Sequence, residues 1–225
     1  MRVDLHVHTY PASSCSAIAY RDLIGACREQ ELHAIALTNH GDVGDNRRLE
    51  APLAEIGTVL VHGVEISTMC GDFIVYSPDL DYLAEFKDVQ AVPQAGSIAD
   101  HAAVVWVHPA AGGGRSGSIY YAGLAEQVAP LIDAVEVWNG NWTDARYVEG
   151  ARHIAETLGL PSTGGSDAHR VERIGRCVTE IAGEVTSTAD VVAAIKAGAL
   201  TPVAPQEPSG GASRGVGHLF DLFRR

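Results

Sequence analysis

The sequence predicts an α/β fold: a distorted seven-stranded barrel whose functional site gathers at the C-terminal ends of the strands. Three observations carry this. Short β-rich apolar runs alternate with longer helical patterns, which implies βαβ units and a mainly parallel sheet. No GxGxxG fingerprint follows the first strand, which favours barrel closure over an open dinucleotide-binding sheet. Finally, several apolar runs break into His, Asp or Glu where the strand gives way to loop.

The candidate strands are residues 3–6, 34–38, 58–66, 72–77, 104–107, 134–138 and 162–166. Between the first two, residues 20–30 place Leu23, Ile24 and Cys27 on one helical face. Residues 143–158 repeat that spacing with Val148, Ala151, Ala155 and Leu158, with Thr143 as the expected N-cap and Gly159-Leu160-Pro161 as the stop. Beyond Pro202 the chain changes to "APQEPSGGASRG" and ends in "HLFDLFRR", so the expected organisation is one domain over 1–202 and a Pro/Gly/Ser linker and tail over 203–225.

A chain of 225 residues with 46% hydrophobic content suffices for one sizeable core. It has no run of 18 apolar residues and starts in polar "RVDLHVHT", so the expectation is a soluble, non-exported protein with no membrane partner. Cys15, Cys27, Cys70 and Cys177 form no CxxC pair, which fits a reducing cytoplasm and argues against a Cys-rich zinc site. The net charge of −12 disfavours long nucleic acid, whose binding draws on Lys and Arg. Nothing in the sequence sets the oligomeric state.

Ten histidines make one HxH pair roughly an even chance, so "HVH" alone is weak. Strand periodicity puts His6 and His8 on one side, with Leu5 and Val7 on the other. The later strands add partners. "AIALTNH" ends at His40, "VLVHGVEIS" carries Glu65, and "VVWVHP" ends at His108. "AVEVWNG" carries Glu136 and Asn139, and "STGGSDAH" delivers Asp167 and His169. In a barrel these converge at one mouth. Imidazoles with carboxylates and no thiolate pair suit zinc, manganese or iron(II). Five histidines and two carboxylates exceed the needs of one four-coordinate ion, which implies two or three divalent ions with Glu65 bridging.

In this order "DLHVHT", "TNH", "GVEIS", "VHP", "VEVWNG" and "GGSDAH" resemble the motifs of the polymerase-and-histidinol-phosphatase (PHP) domain, a branch of metal-dependent phosphoesterases, from residue 4 to about residue 180. The resemblance implies a distorted seven-stranded barrel with up to three metals at its mouth. It also implies that His6, His8, Glu65 and Asp167 hold one ion, that Glu65 and His108 share a second, and that His40 and His169 belong to a third. The sequence departs from the family pattern in three places. After the HxH pair it reads "YPASSCS", where Cys15 is the one plausible replacement ligand. After the bridging Glu it reads "MCGDFIVYS", where Asp72 is the candidate. The customary "TDH" is "TNH", with Asn39 in place of the acid.

Such a centre activates water and offsets charge on a phosphate ester. His40 and His169 are the expected proton donors to a leaving alcohol, and Asp167 completes the catalytic set. Arg115, in the glycine loop "GGGRSGS", and Arg170 are the expected phosphate contacts. The expected activity is hydrolysis of a small phosphorylated metabolite or short nucleotide. The alternative is a non-catalytic module of the same fold that binds metal or a partner. A polymerase-type proofreading exonuclease fits less well, because the chain is acidic and lacks polymerase regions. Expected structural roles fall to His62, His153 and Cys27. Trp138 and Trp142 fit packing better than pocket lining, and Glu136 suits a partner that orients a ligand histidine.

Overall fold

A computed structural model of the chain describes residues 1–87, 98–111 and 124–205. Arg115 and the tail beyond residue 205 lie outside them. Among the described residues the strands are β1 (Arg2–Val7), β2 (Ala34–Leu37), β3 (Val59–Thr68), β4 (Gly71–Tyr76), β5 (Ala103–Val107), β6 (Ala134–Asn139), β7 (Ser162–Gly165), β8 (Val178–Ile181) and β9 (Leu200–Val203). The helices are α1 (Tyr20–Glu29), α2 (Glu50–Ala54), α3 (Leu80–Ala84), α4 (Leu124–Val128), α5 (Ala145–Leu158) and α6 (Thr188–Ala197). None of them is long and apolar enough to cross a membrane.

The strands form one sheet in the order β7-β6-β5-β4-β3-β2-β1-β8-β9. The sheet curls round so that β7, at one end, meets β1: Val7 bridges Ala168 just beyond β7, and the His8 amide donates to the Ala168 carbonyl at 3.0 Å. The result is a nearly closed α/β barrel-like sheet. Strands β1–β2–β3 and β5–β6–β7 pair in parallel, as βαβ alternation predicts. The expectation of seven strands needs correction. There are nine among the described residues, β3 and β4 form an antiparallel hairpin with no helix between them, and β4 also pairs antiparallel with β5.

The seven expected strands occur within two residues of their observed bounds. The two missed strands, "VTEI" and "LTPV", are four residues long, and the second contains Pro202. Because β9 runs to Val203, the ordered sheet passes the expected boundary at 202. The missed helix α6 did carry a start signal in Ser187-x-x-Asp190. The Asp190 amide donates to the Ser187 hydroxyl oxygen, and the Asp190 carboxylate accepts back from the Thr186 amide. Gly198 then stops the helix in the left-handed region, φ 66°. The N-cap of α5 is Asp144, not Thr143; its carboxylate accepts from the Tyr147 amide at 3.1 Å.

Three cores flank the sheet. Val3, Leu5, Ala34, Ala36, Val61 and Val105 come from the N-terminal parts of the parallel strands and pack with Val191, Val192, Ala194 and Ile195 of α6. That helix therefore plugs the end of the barrel opposite the strand C-termini. Helix α5 packs on the outside with Trp106, Val135 and Val137, and Trp138 and Trp142 rest against that core. Helix α1 buries Leu23, Ala26 and Cys27 against Ile35 and Leu37.

Candidate metal centre

The centre begins with an irregularity in β1. Its pairing with β2 shifts register between Asp4 and Val7, and the parity of the strand changes there. Val3 and Leu5 join the core plugged by α6, whereas Val7 packs with α1. Strict alternation, which placed Leu5 and Val7 together, therefore fails. The shift leaves His6 and His8 converging, with Nε2 atoms 3.1 Å apart. Asp4 does not join them. It is buried and accepts the Ser166, Gly175 and His6 amides, tying β1 to the segments around β7 and β8. Burial outweighs these bonds and raises its pKa to about 6.

Each neighbouring strand end contributes one piece. After β2, the Asn39 carboxamide accepts the Thr9 amide at 2.7 Å and donates to the Thr9 hydroxyl at 3.0 Å. The amide that replaces the family's acid thus staples two strand ends, and His40 beyond it bridges Glu65 of β3. His108 follows β5 and Asp167 follows β7. Both adopt positive φ, 33° and 50°, backbone geometry that costs about 1–3 kcal/mol and is held by surrounding structure.

The pieces meet around Glu65, which is 1% exposed. Its Oε2 lies 3.0 Å from His40 Nδ1, 3.2 Å from His8 Nε2 and 3.6 Å from His6 Nε2, and Oε1 lies 3.2 Å from His108 Nε2. Asp167 Oδ1 faces the Nε2 atoms of His6 and His8 at 3.5 and 3.4 Å, and His169 Nδ1 at 3.5 Å. Despite these approaches Glu65 Oε2 makes no hydrogen bond of acceptable geometry, and neither does His108 Nδ1. Lone-pair atoms that crowd together without bonding one another fit a divalent cation.

Among the described residues, three overlapping groups bring ligand atoms close enough together for an ion: His6–His8–Asp167, His6–Glu65–His108 and His8–His40–His169. Relative to the partition that the family resemblance implies, Glu65 falls in the second group alone, His6 also joins that group, and His8 joins the third. Asp72 Oδ2 stands 3.8 Å from His108 Nδ1, at the edge of the second group. Cys15 is exposed and joins none of these groups among the described residues. What its loop supplies is Ser13, whose hydroxyl lies 3.3 Å from His8 Nδ1 and accepts the His40 amide at 3.1 Å. Nothing in "YPASSCS" singled out that serine, because its role depends on the loop folding back.

Charges follow this geometry. Burial alone would depress the imidazoles, but the Asp167, Glu136 and Glu65 carboxylates raise His6 well above its usual value. Glu65 likewise overcomes the burial of His108 and lifts it to about 9. In return, the His6 charge, the hydrogen bond with His108 and the nearby His40 imidazole hold Glu65 well below the usual carboxylate range, and the His6 charge lowers Asp167 as well. His169 is shifted down by burial and by His8. The centre opens to solvent at His40 and His169, whose side chains are 42% and 30% exposed. Arg170 is exposed and lines a surface groove with Arg21 and Glu29 of α1 and with Gln30 just beyond it, a groove lined by no histidine. His62 also stays apart, paired with Glu50 at 3.0 Å.

Residues 147–200 match a family model described as PHP-associated. No curated protein matches the chain. Among solved structures, PsfC from Pseudomonas syringae is similar at 19% identity and a TM-score of 0.67, over 90% of this chain and 91% of that one. A two-domain protein from Bacteroides vulgatus, containing a predicted PHP-like metal-dependent phosphoesterase, is similar at 18% identity and 0.67, over 91% of this chain and 65% of its own. A suggested metal-dependent phosphoesterase from Bifidobacterium adolescentis follows at 16% and 0.60, over 86% of this chain and 95% of that one. At such identities the likeness is one of fold. The PHP-associated match covers residues 147–200, the solved structures share the fold, and the ordered motifs resemble those of the PHP domain family.

Proposed function

We propose that the protein is a metal-dependent phosphoesterase that hydrolyses a small phosphorylated metabolite or a short nucleotide. The observation that carries this reading is the set of three ligand groups sharing His6 and His8 at one mouth. Two or three ions of zinc, manganese or iron(II) suit that donor set. When bound, such ions supply Lewis acidity, acidify a water and offset charge on phosphate oxygens.

The protein's own groups divide the remaining work. Glu65, with an oxygen toward each side of the cluster, suits the bridging position. His6, His8 and Asp167 are buried and fix the inner ligands in place. His169, shifted down, is neutral at neutral pH, which is the form that coordinates or accepts a proton. His40, at the open rim, is placed to hand a proton to the departing alcohol. Arg115 and Arg170 remain the proposed phosphate contacts; the exposure of Arg170 restricts it to substrate extending out of the mouth. The acidic balance favours small substrates over long nucleic acid, and four free cysteines accord with a reducing cytoplasm.

The test is to load the protein with manganese or zinc, count metal per chain and assay a chromogenic phosphoester beside Asp167→Asn. At least two ions per chain are expected, with a rate loss of about 100-fold or more in the variant, corresponding to ~2.7 kcal/mol of transition-state stabilisation. Equal rates for the two proteins would sink the reading. The absence of Cys15 from the ligand groups favours the non-catalytic module as the second reading. One ion or none, with no hydrolysis, would select it.

A further inference from the structure

We infer that Glu136 and Asn139 form a positioning pair that sets which atoms of His6 and Asp167 are offered to metal; this rests on the metal-centre reading but not on phosphoester hydrolysis. Both residues lie on β6, both are buried, and neither belongs to a ligand group. Their proton arrangement follows from one fixed donor. The Asn141 backbone amide, which can only donate, bonds Asn139 Oδ1 at 2.8 Å. The Asn139 NH2 must therefore face the other way. It donates to Glu136 Oε2 at 2.8 Å and to Asp167 Oδ2 at 3.3 Å. Glu136 Oε2 also accepts the His108 amide at 3.0 Å, while Glu136 Oε1 lies 3.0 Å from His6 Nδ1.

Two consequences follow. A carboxylate oxygen facing His6 Nδ1 holds the proton there, so Nε2 keeps its lone pair for an ion. The Asn139 amide occupies Asp167 Oδ2, so Asp167 presents Oδ1, the oxygen that faces His6 and His8, as a one-oxygen ligand. The pair thus ties ligands of two groups, and the backbone of His108, into one unit. The close approach is built into the fold: a Cβ on Gly165 would stand 2.9 Å from Glu136 Oε1 and 2.5 Å from the His6 Cβ.

Two isosteric variants test this. Glu136→Gln puts an amide NH2 against a donor whichever way it turns, and Asn139→Asp sets a third carboxylate against Glu136 and Asp167. Each should weaken zinc binding by about 10- to 100-fold, read by competition titration, with far-UV circular dichroism unchanged. The double variant should lose no more than the worse single one, because the two residues act as a unit. In zinc-loaded wild-type protein, 15N imidazole spectra should show His6 protonated at Nδ1. Wild-type affinity in both variants, additive losses, or a His6 proton on Nε2 would overturn the inference. If Glu136→Gln does not fold, Asn139→Asp and the wild-type spectrum decide. Zinc binding without hydrolysis would remove the phosphoesterase reading alone, whereas hydrolysis with variants of wild-type affinity would remove the positioning pair alone.

Discussion

Glu65 shows how one side chain can organise a centre and how pH should act on it. In ion-free protein the Glu65–His108 pair holds the imidazole at about 9, against an ordinary value of 6.5. The folded state then binds that proton more tightly than the unfolded chain. The resulting stability is whole below about pH 6.5 and is lost as pH rises through about 9. From the carboxylate side, the same pair contributes above the unfolded Glu value and loses its contribution as pH falls through the lowered folded value. Chelator-treated protein is therefore expected to lose stability above pH 7, by about 2 kcal/mol between pH 7 and pH 9. Metal should reverse that trend, because it binds neutral imidazole and its affinity rises with pH. Thermal melts of chelated and zinc-loaded protein across that range check both halves, and a flat chelated curve would rule out the pair as a pH-dependent stabiliser.

At the scale of elements, the decisive contact is where β7 approaches β1. Gly165 ends β7, and no other residue fits there, since an added Cβ would meet the His6 Cβ at 2.5 Å and the His6 amide nitrogen at 3.0 Å. Backbone and a ligand stem cannot both yield. Gly165→Ala is expected to cost about 1–3 kcal/mol through overpacking and, by displacing His6, to weaken metal binding as well. Denaturant titration and zinc titration read the two effects, and unchanged values in both would show that the strands can separate without penalty. The loop after β1 works at the same scale. Ser16 donates to the His8 carbonyl at 2.8 Å, and the Ala17 amide donates to the His169 carbonyl at 2.9 Å, so one short segment braces ligands from both ends of the chain.

Across the whole molecule, metal ligands and hydrophobic plug occupy opposite ends of the barrel. Ile195 of α6 is fully buried among Val3, Leu5, Ala36 and Val61, none of which belongs to a ligand group. Truncating it opens a cavity at the plugged end. Ile195→Ala is expected to destabilise the protein by about 2–4 kcal/mol while leaving metal stoichiometry unchanged. Loss of bound metal in the folded variant would show that the two ends are coupled.

Local pattern alone determined the seven expected strands, helices α1 and α5 and the ligand-type residues at strand ends, because strand alternation and the break from apolar to polar residues are short-range properties. Strands β8 and β9 escaped that logic: each is four residues long and owes its place to pairing with a sheet already formed. Cys15 looked like a ligand by chemistry, but the fold of its loop buries Ser13 and leaves the cysteine exposed. Only the tertiary structure decided the parity change in β1, the partition of His6 and His8 among three groups, and the facing of the Asn139 amide. Those depend on closure, which brings Ser166 to the His6 carbonyl across 160 residues of chain. No local periodicity reports a distance of that kind.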